Sequence, residues 1–136
     1  MSDLKKMQSP ADLAAETELK AQHILDELAA LQRKQALLHA QYSTIQELDP
    51  KSVQLDPLSR ALDETSRTIG ALARQRTDLL DGMPIIVDAQ GRLCVVADRL
   101  ANDAKLVERV KGRLQAATAA IASAEKVLTT VAALVA

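Results

Sequence analysis

Three tracts of residues spaced alternately three and four apart leave this chain few options other than long helices packed along their seams. In the first tract Ala14, Thr17, Ala21, Ile24, Leu28, Leu31, Gln35, Leu38, Tyr42 and Ile45 keep the spacing. The second repeats it with Leu58, Leu62, Thr65, Ile69, Leu72, Arg76 and Leu79. The third runs Leu100, Asp103, Val107, Val110, Leu114, Ala117, Ile121, Ala124, Leu128, Val131 and Val135. Leu25, Leu37, Ala61, Leu106 and Leu134 flank these seams, and widen each stripe enough to touch two neighbours.

Punctuation between the tracts sets the helix limits. Ser9-Pro10 supplies a side-chain acceptor followed by a residue whose missing N–H costs nothing at a first helical position. Asp12 and Glu16 then lie near the positive end of the helix dipole. Asp49-Pro50 stops the helix, because proline disfavours the α conformation in the residue before it. Asp56-Pro57 repeats the start signal, with Asp56 expected as cap. Gly82 ends the second helix by taking a left-handed conformation, and Pro84 blocks its resumption.

Between the second and third tracts the period changes. Ile85-Ile86-Val87 and Leu93-Cys94-Val95-Val96 are β-branched runs around Asp88-Ala89-Gln90-Gly91, which suits a type I turn closed by a glycine bulge. In that register Val87 pairs with Leu93 and Ile85 with Val95. Ile86, Cys94 and Val96 then share the other face. Both faces are apolar and each needs a cover, since an isolated two-stranded hairpin is marginal in water.

The expected class is therefore all-α: an elongated antiparallel three-helix coiled-coil-like bundle with a short β-hairpin between the second and third helices. The chain reads as a single helical domain, 1–136. Residues 1–9 form a flexible N-terminus, 10–47 helix one, 57–81 helix two, 84–97 the hairpin and 98–135 helix three. At ~1.5 Å per residue, helices one and three each span roughly 55 Å and helix two roughly 36 Å. Continuous third-helix packing from Asp98 puts Ile121 near Leu58 and leaves residues 122–136 as an overhang. Val127, Leu128, Val131, Leu134 and Val135 on that overhang, with Ile86, Cys94 and Val96 on the hairpin, form the candidate interface. One hairpin face is expected on residues 11–22 of helix one. Arg76 and Asp103, polar within their seams and at similar heights, form a candidate structural ion pair.

Composition narrows the function classes. The 136 residues are 48% apolar and 26% charged, which argues against disorder, and the net charge is only −1. No phenylalanine or tryptophan and a single tyrosine remove the usual platforms for stacking bases. The basic run Lys105, Arg109, Lys111 and Arg113 is interspersed with acids and reads as a solvated face, so no nucleic acid is expected. Cys94, the one cysteine, excludes an internal disulfide and a cysteine-rich zinc site. His23 and His39 lie about 160° apart around one helix, so they cannot share an ion within the chain. No glycine-rich phosphate loop or calcium loop occurs. No catalytic residue, cofactor-binding residue, metal ligand or cofactor is expected. The N-terminal residues lack a secretory pattern, and the stretch 114–136 carries Glu125 and Lys126 at its centre, which argues for a helix in water. The expected compartment is the cytoplasm.

The leading expectation is a non-catalytic interaction or assembly protein, a homo-oligomer (dimer favoured) that also binds a protein partner. The first alternative is membrane action through the apolar hairpin as a tongue, with Asp88 and Arg92 at the interface. In architecture this resembles the tongue-bearing helical pore-forming toxins. The second alternative is a chaperone or adaptor, since long helices joined through a hairpin are loosely similar to prefoldin subunits. The additional Asp56–Asp81 helix departs from that pattern, and neither likeness rests on a shared motif.

Overall fold

The structure is a computed structural model that describes residues 9–135. The expected flexible N-terminus lies, apart from Ser9, outside the described residues. In chain order the elements are α1 (Pro10–Leu48), α2 (Leu55–Leu80), β1 (Ile85–Val87), β2 (Leu93–Val95), α3 (Ala97–Ala101) and α4 (Ala104–Val135). The described residues thus form four helices and one small antiparallel sheet, an all-α-dominated fold.

Each long helix packs against the other two. The core between them takes Ile24, Leu31 and Leu38 from α1, Leu58, Leu72 and Leu79 from α2, and Val110, Leu114 and Ile121 from α4. Burying each of the larger side chains is worth about 1.5–3 kcal/mol, so the seams dominate stability. Two seam positions are threonines. Thr17 and Thr65 are fully buried, and each hydroxyl donates to the carbonyl four residues earlier, Leu13 at 2.8 Å and Ala61 at 2.7 Å. Their polar atoms are therefore paired within their own helices. Of the flanking apolar residues, Ala61 and Leu106 are buried. Leu25, Leu37 and Leu134 remain exposed, so the stripes are narrower than their spacing implies.

The helix ends follow local chemistry. Ser9 caps α1 in a reciprocal arrangement: its Oγ accepts from the Asp12 N–H at 3.1 Å, and its own N–H donates to Asp12 Oδ2 at 3.3 Å. Helix α2 starts two residues earlier than the Asp56-Pro57 signal. Asp56 lies inside its first turn and pairs with Arg60 at 2.7 Å instead of serving as the cap. Gly82 has φ of +70°, the left-handed residue that terminates α2.

The third helix is not continuous as expected. Asn102 and Asp103 interrupt it, separating the five-residue α3 from α4. Short amide and carboxylate side chains compete for backbone groups, and both do so here. Asn102 Nδ2 donates to the Asp98 carbonyl at 3.1 Å, while Asp103 Oδ1 accepts from the Leu106 N–H at 3.1 Å. In one unbroken helix Leu100 and Leu106 would lie about 120° apart. With the break, both side chains enter the core.

Candidate functional site

The hairpin end carries Ile86, Cys94 and Val96, three of the eight candidate interface residues. Its strands pair Ile85 with Val95, Ile86 with Cys94 and Val87 with Leu93, the register expected from the turn residues. The Gly91 N–H donates to the Asp88 carbonyl at 3.0 Å, and the Asp88 N–H donates to the Arg92 carbonyl at 2.8 Å. Gly91 has φ of +82°, which a side chain would strain. Asp88 organises the turn through its carboxylate. Oδ1 accepts from the backbone N–H groups of Gln90 (2.8 Å) and Arg92 (2.9 Å), and Oδ2 accepts from Arg92 Nε (3.0 Å). The Arg92 backbone N–H is the largest cause holding Asp88 below its ordinary carboxylate value. The Gln90 N–H and the Arg92 guanidinium add to it, against the opposing effect of partial burial.

Helix α1 anchors the base of this hairpin. Glu18 Oε1 accepts from the Val95 N–H at 2.7 Å, and β2 packs on α1. Val95 is buried and Ile85 packs against the core. The tip does not follow. Ile86 is 56% exposed, Val87 64% and Leu93 45%. The helix-one contact therefore covers the base of one face, while Val87 and Leu93 of that same face stay in solvent. Beside them lies a shallow groove of about 830 Å³, lined by Leu19, Leu25, Ile85 and Leu93 together with Arg76 and Gln22. Leu19 is 71% exposed.

The remaining candidate residues divide sharply. Cys94 and Val96 are half-buried, and Cys94 is a free thiol. Val127 and Val131 are core residues, while Leu128 and Val135 pack against the core. No overhang exists in the described residues, because α4 begins later than Asp98 and its far end meets the start of α2. Leu134 lines a surface depression with Ile45, Gln54 and Leu58, and it alone of the α4 candidates is exposed. The Asp81 carbonyl accepts from Arg113, well along α4, which shows the same displacement.

Arg76 and Asp103 form no ion pair among the described residues. Asp103 caps α4, and Arg76 lines the groove with its Nε inaccessible and without a hydrogen-bond partner. The helix break changed the heights on which the pairing rested. Sequence spacing also missed Glu18, which reads there as an ordinary surface carboxylate, and Leu19, which lies off the seam. Its isolation between Glu18 and Lys20 was the available signal of an outward-facing apolar residue.

Comparison with protein-family models, with curated proteins and with solved structures finds no match. The functional reading therefore rests on this chain's own surface.

Proposed function

We propose that this chain is a non-catalytic interaction protein that self-associates, as a dimer, and binds a protein partner through its hairpin end. The carrying observation is the exposed apolar set Leu19, Ile86, Val87 and Leu93 beside the groove. Four such side chains at one end, rimmed by Arg92 and Gln22, have the make-up of an interface core with a polar edge. The scaffold that presents them is an elongated antiparallel three-helix bundle of coiled-coil type. Cross-helix pairs support that arrangement. Gln35 of α1 donates to Ser66 of α2 at 2.8 Å, and Leu134 near the end of α4 lies beside Leu58 near the start of α2. Two-fold pairing is the commonest way for one such patch to be covered by another copy. Light scattering on the purified chain tests the reading, with a mass near twice that of the monomer expected and an Ile86→Asp variant shifted toward the monomer. A monomeric wild type that also retains no protein partner from its native extract would refute it.

The exposed hairpin tip also favours a second reading, insertion of the hairpin into a membrane. Helix α4 is long and apolar enough, by length and composition, to cross one. Leakage from anionic liposomes, abolished by Ile86→Asp, would establish this reading over the first. Intact vesicles at protein concentrations that give dimers would eliminate it.

A further inference from the structure

His23, Glu27 and Glu125 converge between α1 and α4. His23 and Glu27 are four residues apart, so both side chains project from one face of α1. Glu125 reaches them from the middle of α4. His23 Nε2 lies 3.4 Å from Glu27 Oε1 and 3.7 Å from Glu125 Oε1, and the three ligand atoms all fall within 4.8 Å of one another. A single imidazole nitrogen carries at most one proton, which cannot hydrogen-bond well to two carboxylates at these distances. Glu27 adds the second observation. Its side chain is only 12% exposed, and its Oε2 is inaccessible and without a hydrogen-bond partner. A partly buried carboxylate drawn toward another carboxylate needs positive charge nearby.

We propose that these three side chains bind a divalent transition-metal cation of the zinc class, which clips α1 to α4. Zinc takes imidazole nitrogen and carboxylate oxygen at about 2.0–2.2 Å, and the edge of a tetrahedron of that size is about 3.4 Å. The His23–Glu27 separation of 3.4 Å already matches such an edge, and the His23–Glu125 separation of 3.7 Å needs a small contraction. Glu27 and Glu125, within 4.8 Å of each other, close to the same edge when the ion binds. The mixed nitrogen and oxygen set suits zinc better than calcium or magnesium, which favour shells of oxygen alone. His23 and Glu125 are substantially exposed, so the fourth coordination position faces solvent and is taken by water. The ion neutralises the two carboxylates and joins segments that are 98 residues apart between Glu27 and Glu125.

Isothermal titration of the full chain with zinc chloride tests the site directly, with thermal unfolding as a second readout. One equivalent should bind saturably, and Tm should rise with zinc concentration because only the folded chain assembles the ligands. Loss of a supporting group outside the ligand set commonly weakens metal binding about 10–100-fold, so loss of a ligand should cost at least tenfold. His23→Gln and Glu125→Gln should each show that loss, and both positions are exposed enough for the fold to survive. Cys94→Ser and Glu108→Gln should bind as the wild type does, and magnesium should not compete. No saturable binding at about 100 µM zinc, or unchanged binding in either ligand variant, overturns the site. Loss of binding in Cys94→Ser would overturn it as well, by placing the ion on the thiol.

Discussion

Leu72, midway along α2, and Val87, near the tip of β1, are both apolar, yet the first is wholly enclosed and the second is 64% exposed. Leu72 belongs to the core shared by the three long helices. Val87 sits on a two-stranded ribbon anchored by the Ile85/Val95 pair, the Glu18 carboxylate, the Asp88 turn and the Val96 N–H on the Pro84 carbonyl. The helical body is held by apolar area summed over many side chains. The hairpin end is held by a small apolar base, Met83, Ile85 and Val95, and a few directed hydrogen bonds. That division lets the end keep apolar groups in solvent without loosening the body, which is what an interaction surface on a rigid support requires.

Truncation gives the widest separation between the two regions. Leu72→Ala should cost about 2–5 kcal/mol in urea unfolding, whereas Val87→Ala should stay within about 0.5 kcal/mol. Equal costs at both positions would mean that the tip is covered within the monomer, and the comparison would fail. Glu18→Ala is expected to cost about 1–2 kcal/mol, because the Val95 N–H loses a charged acceptor and Glu18 is only partly buried. Amide exchange should accelerate at Val95 with little change at Val110. Uniform acceleration at both would show that the hairpin and the body open together.

Removing the cap in Asp103→Ala should cost about 1 kcal/mol and fray the first turn of α4. Exchange at Leu106 would report it, and an unaltered rate there would argue that the helix break has another cause. The smallest effect is acid sensitivity of the turn. The folded hairpin holds Asp88 below its ordinary value, so this group contributes stability above the ordinary carboxylate range. The contribution disappears as pH falls through the lowered folded value. Amide resonances of Gln90 and Arg92 should move together over that acid range in wild type and remain still in Asp88→Asn.

Much of the body could be read from spacing because a helical seam depends on residues three and four apart, and the chain states those directly. Ile24, Leu31, Leu72 and Val110 all fall where the period puts them. The hairpin register was equally readable, since Asp88 and Gly91 determine the turn locally. The error lay at Asn102 and Asp103. A heptad frame carried through them counts Asp103 as a seam residue, whereas its carboxylate competes for the backbone and restarts the helix. That break displaced every height estimated along α4. Val127 and Val131 consequently moved from a free overhang into the core, and Arg76 lost its expected partner. Convergence of Glu125 on His23 depends on the same heights, so no local pattern could reveal it.

Sedimentation equilibrium at several protein concentrations tests the central claim most directly, with the Ile86→Asp/Val87→Lys double variant run beside the wild type. Both substituted side chains are exposed, so the monomer fold should remain intact by circular dichroism. The account predicts a wild-type mass that rises to that of a dimer as concentration increases, and a double variant that stays monomeric throughout. A wild type that remains monomeric at every concentration, or a dimer that the double variant leaves unchanged, would contradict it.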